Sequence, residues 1–304
     1  MSAQASFATP EEAVAALIAA GEGEDVNALR ALLGRGTGAL LSSGDQVADH
    51  NARAALLARY HAYHELVADG PNDLVLVVGQ ERWPFAIPLV RTNGRWFWDG
   101  AAGAPELLAR RIGANEQRTV DVMKGFVAAQ REYAAAGHDG APPGAYAQKL
   151  RSTPGRQDGL YWEAAAGAPQ SPADALLAAA TAEGYAVTGK GGTPYHGYLF
   201  RLLTAQGADA QGGARNYLHD GRLSGGFAAL AYPDAYGASG VMTFMVNQDG
   251  VIWQRDLGKD TAAAVAAIRA FDPDSGWTAR ASEGTAPSAR DANALVPAAA
   301  SRRR

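Results

Sequence analysis

His61 and His64 stand three residues apart, and His50 opens the same stretch. If that stretch is helical, two imidazoles one turn apart can face a single metal ion. A third ligand would have to come from elsewhere, and no carboxylate is obviously placed to supply it. A histidine paired with a buried acid would instead suit general acid–base work in an apolar pocket. We carry His61 and His64 forward as candidate bases, and expect neither a metal nor a cofactor.

Three further patterns invite a chemical reading and fail on inspection. Gly184–Lys190 fits the first part of a phosphate-binding loop, but Gly191 stands where a magnesium-holding Ser or Thr is needed. The following Gly192-Thr193-Pro194 also blocks the helix that such a loop must enter. Gly34-Arg35-Gly36-Thr37-Gly38 follows a helical pattern rather than a strand, so it is no dinucleotide fingerprint. Ser239 in Gly-Ala-Ser-Gly lacks nucleophile-elbow spacing.

Aromatic residues offer a different kind of chemistry. Trp83, Trp96 and Trp98, with Phe85 and Tyr63, suit either the packing of a sheet or the lining of an apolar pocket. Tyr161-Trp162 and Tyr195-His196 stand in Gly/Pro-rich loops, where packing explains them less readily. Loop aromatics on a rigid scaffold make good partner surfaces, and the same rings can also fold down as a lid on a core. Tyr161, Trp162, Tyr195 and His196 are therefore the candidate binding residues.

The totals narrow the class. With 47% apolar and 19% charged residues over 304 positions, the chain has material for two globular cores. A net charge of −4, with no basic cluster beyond Arg302-Arg303-Arg304, gives no electrostatic reason to expect nucleic acid. Cysteine is absent, which excludes disulfides, thiolate metal sites and a Cys nucleophile. No apolar run approaches the roughly 18–20 residues of a membrane helix, so membrane insertion is not expected.

The elements that must position these residues follow from period and punctuation. Thr9-Pro10-Glu11-Glu12 starts a helix with Val14, Leu17 and Ile18 on its apolar stripe. A second helix is expected over about 25–33 and a third over about 49–67. Leu74–Val78 reads as a strand, Phe85–Val90 as at most an edge strand, and Asn93-Gly94 as a tight hairpin turn into Trp96-Phe97-Trp98. Helix returns from Glu106, with Asn115–Ala135 presenting Val120, Met123, Phe126 and Val127. Ser171 and Asp260 are expected to cap two further helices. Tyr198–Thr204, Phe227–Tyr232, Val241–Val246 and Val251–Trp253 form an antiparallel sheet of about four strands, its last hairpin closed at Gly250. The expectation is an α+β protein: a leading domain over 7–104, a helix-plus-antiparallel-sheet domain over 105–278, and a disordered tail over 279–304.

Several phrases resemble an uncharacterised bacterial family, domain of unknown function 2950. They include Phe7–Val14, Trp83-Pro84-Phe85, Ala129–Tyr133, Asp158–Trp162, Pro194–Tyr198 and Gly240–Val251. The family has no established activity. Its members usually carry a signal peptide, which implies a periplasmic or secreted chain, and Ala3-Gln4-Ala5 reads as what remains after cleavage. The first half resembles the cone-shaped domains of the nuclear-transport-factor type. The second resembles the globular head of type IV pilins, although Glu116, Arg118, Asp121 and Lys124 replace the pilins' apolar helix face. These readings imply a non-catalytic envelope protein that binds an unidentified protein or small apolar ligand. The alternatives are a His-based pocket enzyme and a pilus-associated subunit.

Overall fold

Helix α1 (Pro10–Glu22) begins where its cap chemistry places it, in a computed structural model that describes residues 4–164, 167–185 and 193–280. Thr9 Oγ1 accepts the Glu12 N–H at 3.2 Å, and the Glu12 carboxylate reaches back to the Ala8 N–H at 3.0 Å. In α2 (Val26–Leu33), Asp25 accepts the N–H groups of Asn27 and Ala28. A short α3 (Gly38–Leu41) leads to α4 (Gln46–Ala62), whose cap is Asp45.

Helix α4 ends before the expected position 67. Tyr63 is fully extended, and the next residues form β1 (His64–Ala68), paired along its length with β2 (Asp73–Val78). The helical spacing of Tyr63 and Val67 was outweighed by a partner strand that no local pattern reveals. His61 and His64 thus belong to different elements, which removes the shared helix face that a joint metal site required.

The sheet continues with β3 (Trp83–Pro84), β4 (Leu89–Thr92) and β5 (Arg95–Trp98), in the order β1-β2-β4-β5 with β3 also on β2. Strand β4 is therefore internal, and of the segment expected as an edge strand, Phe85–Pro88 is not strand while Leu89 and Val90 open β4. Asn93 and Gly94 both have positive φ (52° and 78°), as the tight β4–β5 turn demands. One face of this sheet packs against α1 and α2, burying Leu17, Leu29, Leu76, Leu89 and Trp98, and the Trp98 indole N–H donates to Ala13 O.

Gly103 does not stop the chain, and no new helix starts at Glu106. A single α5 runs over Gly100–Ala136. The glycines at its start serve proximity instead: a Cβ on Gly100 would lie 2.0 Å from Leu33 O, and one on Gly103 2.4 Å from Ile87 Cα. Further along, Val120, Met123 and Val127 cover a second sheet.

That sheet begins with β6 (Tyr198–Leu203), which follows α6 (Asp174–Ala182); two separate two-stranded pairs come next in the chain, β7 (Ala205–Gln206) with β8 (Arg215–Asn216) and β9 (Leu218–His219) with β10 (Arg222–Leu223). Strands β11 (Ala228–Pro233), β12 (Met242–Asn247), β13 (Trp253–Asp256) and β14 (Thr278–Ala279) complete the sheet, with helix α7 (Thr261–Ala267) between the last two. The order is β14-β13-β12-β11-β6, all antiparallel: five strands where about four were expected. The hairpin turn closes as the tetrad predicts, with Gly250 at φ 84° donating to Asn247 O. The opposite sheet face is buried under α7 and neighbouring loops, through Leu230, Met245, Val265 and Trp277.

Three smaller corrections concern caps and the tail. Asp260 precedes α7 and Ser171 lies near the start of α6, but neither side chain caps, and the buried Ser171 hydroxyl has no partner among the described residues. Thr278 and Ala279 pair with β13, so ordered chain extends past the expected start of the tail. Residues 281–304 lie outside the described residues, as do 186–192, most of the rejected phosphate-loop stretch.

Candidate functional site

Of the aromatic loop residues, Tyr195 and His196 enter a polar cluster joining distant parts of the chain. Asp45, 2% exposed, accepts the Ala48 N–H at one carboxylate oxygen, which caps α4. Its other oxygen accepts the Tyr185 hydroxyl at 2.8 Å and the Gly197 N–H at 2.9 Å. The His196 N–H in turn donates to Tyr185 Oη at 3.2 Å. Nearby, Asn51 donates to Glu183 O. His196 is 5% exposed, with φ 51° and Nε2 3.1 Å from a Glu183 carboxylate oxygen. The Tyr195 ring is half-buried against Tyr185 and His196.

The electrostatics suit a lock. Burial, then the Arg118 guanidinium, push His196 down to about 4 against the opposing pull of Asp45, so the ring is neutral near pH 7. A neutral Nε2–H donating to Glu183 agrees with that state. Burial, then the Asp45 carboxylate, raise the Tyr185 hydroxyl well above its ordinary value. The fold thus holds His196 and Tyr185 neutral, and the bonds of the cluster run between its own members.

Tyr161 and Trp162 occupy a different place. Both rings are partly buried against a small core of Tyr133 on α5, Leu177 on α6, and Ala147 and Leu160 from the loop between them. His138 sits with its ring 4.4 Å from Tyr133 and 5.1 Å from Trp162, and Arg151 lies over Tyr161 at 5.7 Å. Their loop is held by its own polar groups. Asp158 accepts the Thr153 N–H and hydroxyl and meets Lys149 Nζ at 2.7 Å, while Ser152 Oγ pairs with the Gly159 backbone. Burial raises the Asp158 carboxyl, but Lys149 and Thr153 outweigh it and hold it at about 2. Leu150, whose backbone oxygen accepts the Tyr161 N–H at 2.8 Å, is 47% exposed, which is rare for a large apolar side chain among the described residues.

The candidate bases lie on the surface. His61 is exposed and pairs with Glu22 at 3.0 Å; His64 is exposed, stacked 3.9 Å from Tyr60, with Nδ1 against Tyr60 O. His50 pairs with Glu24. Among the described residues, no group of three or more His, Asp or Glu is placed to hold a metal. Trp98 is buried core, while Trp83 and Trp96 flank it, Trp83 between the guanidiniums of Arg59 and Arg110. Also among the described residues, no helix is long and apolar enough to cross a membrane.

Sequence reasoning missed Asp45, Tyr185, Leu150 and Asp158. Ser43-Gly44-Asp45 carries an ordinary cap signal, so Asp45 was within reach; its partners, up to 152 residues away, were not.

A family model described as a protein of unknown function (DUF2950) matches residues 4–279. No curated protein matches the chain, and no solved structure matches it, so the cone-domain and pilin-head likenesses rest on sequence alone.

Proposed function

Because the chain belongs to the DUF2950 family, whose description assigns no activity, we propose its function from geometry: a non-catalytic binding protein of the bacterial envelope, periplasmic or secreted. One observation carries the reading. Leu150 is exposed on a loop that Asp158 and Ser152 hold in shape from within, and its backbone oxygen accepts the N–H of the partly exposed Tyr161, next to Trp162 in the chain. A preformed apolar patch loses little conformational entropy on binding, and large rings contribute most of the energy at such contacts. The buried His196 acts from inside, positioning the half-exposed Tyr195 as a second, smaller contact. The envelope location follows from the family resemblance.

The partner of such a patch is a polypeptide with an apolar side chain to seat against Leu150 and Trp162. A photo-crosslinking residue at position 150, exposed to native envelope extract, should give a discrete adduct that Trp162→Ala abolishes while the melting temperature falls by only a few degrees. Equal labelling from the remote, exposed Lys259 position would end this reading.

A further inference from the structure

Among the described residues, the second sheet is finished at one edge and open at the other. Strand β14, the last on one side, is two residues long, and such brevity guards an edge against pairing. Strand β6 on the other side spans six residues, with no proline, lysine or acidic side chain. Its only charge, Arg201, is spent inside the fold, donating to Val265 O and Ile268 O at the end of α7.

The direction of each backbone group along β6 follows from its neighbours. In antiparallel pairs, successive residues turn both N–H and C=O alternately toward one side and the other. Tyr198 exchanges both bonds with Tyr195, and Thr204 O accepts from Tyr217, so both turn away from β11. Phe200 and Leu202 share that parity. Their N–H and C=O groups therefore face outward between the Tyr195 turn and Tyr217, and no bond to them from the described residues is found on that side. The Phe200 side chain is 39% exposed beside this window, on the face that α5 covers further in.

We propose that this window is a strand-addition site for a short extended peptide segment of another protein, paired through the backbone of Phe200 and Leu202 and seating an apolar side chain on Phe200. A row of alternating outward donors and acceptors is complementary to an extended peptide backbone and to little else. A second copy of the chain does not fit. Pairing β6 with its own copy would drive each Tyr195 turn into the place that the other copy's Tyr217 segment occupies. The window admits a loop or terminus that is free on both flanks.

Amide hydrogen exchange tests the edge first. In the free protein, the Phe200 and Leu202 amides should exchange at least about tenfold faster than those of Leu199 and Arg201, which face β11. Equal protection would show the edge already covered and overturn the proposal. The second arm selects binders from a displayed library of random short peptides and adds each selected peptide to the labelled protein. Protection of the Phe200 and Leu202 amides, lost when the peptide backbone is N-methylated and weakened about tenfold or more by Phe200→Lys, is the expected result. Failure to select any peptide, or selected peptides that leave both amides unprotected, would refute it. The patch at Leu150 is untouched by Phe200→Lys, so crosslinking from position 150 reports on that reading separately.

Discussion

Replacing Tyr185 with Phe removes one oxygen that serves two bonds, one of them to a segment 140 residues away. The hydroxyl donates to the Asp45 carboxylate and accepts the His196 N–H. A bond to a charged acceptor contributes roughly 1.5–3 kcal/mol, and an orphaned buried N–H costs about 1–3 kcal/mol. The two losses share an atom and do not add. Asp45 also keeps its bonds from Ala48 and Gly197, which limits the damage. The expected loss is about 2 kcal/mol, or a melting point lower by about 4–8 °C for a chain of this size. Urea unfolding followed by circular dichroism measures it. Tyr195→Phe is the control, because that hydroxyl takes no part in the cluster's bonds, and it should stay within about 0.5 kcal/mol of the parent. Asp45→Asn combined with Tyr185→Phe should show a coupling of about 1–2 kcal/mol. A Tyr185→Phe protein as stable as the parent, with no coupling to Asp45→Asn, would show that the cluster is decorative and that the trailing loop is held elsewhere.

Gly103→Ala should cost about 2 kcal/mol or more in chemical denaturation, because its Cβ would meet Ile87 Cα at 2.4 Å. Gly113→Ala, on the same helix with open space around it, should instead gain up to about 1 kcal/mol. The His196 ring, followed by NMR, should titrate near 4. Its folded value lies below the ordinary one near 6.5, so the stability tied to the neutral ring is present above that value and lost as pH falls through about 4. Asp158→Asn should open the 152–159 loop to limited proteolysis at neutral pH. Because its folded value near 2 is depressed, the difference from the parent is full above about 3.8 and fades as pH falls through about 2.

Much of the fold is written locally, and those parts were legible. Thr9 and Asp25 cap their helices through bonds two or three residues long. Asn93-Gly94 and Asn247–Gly250 close their turns through the φ preferences of their own residues. The second-sheet strands and the apolar stripe Val120, Met123 and Val127 follow from period alone. What was hidden depends on partners far along the chain. Whether residues 64–68 extend a helix or form a strand is decided by β2, and whether Gly103 stands before a helix or inside one that approaches Ile87 is decided by the sheet beneath. The two places of the candidate site differ in the same way: Tyr161 and Trp162 were visible as loop aromatics, while Asp45 and Tyr185 acquire their role only when 140 residues of chain bring them together.

The residues that look most like a site are the ones that packing explains best. In Pro194-Tyr195-His196-Gly197 the backbone takes positive φ at both His196 and Gly197, and a Cβ on Gly197 would lie 2.7 Å from Ser239 Cβ and 3.0 Å from Asn115 Nδ2. Asp45 receives the Gly197 N–H, and Glu183 meets the His196 ring. Every striking feature of that tetrad is thus accounted for by a turn fitted between α4 and the second sheet. No such account covers Leu150. Burying it would remove an apolar side chain from water and stabilise the fold by about 1–2 kcal/mol. It stays out, its backbone paired with that of Tyr161, on a scaffold that its own carboxylate and hydroxyls hold in shape. A surface kept in that state at a cost to stability is the one on which a binding function should be sought.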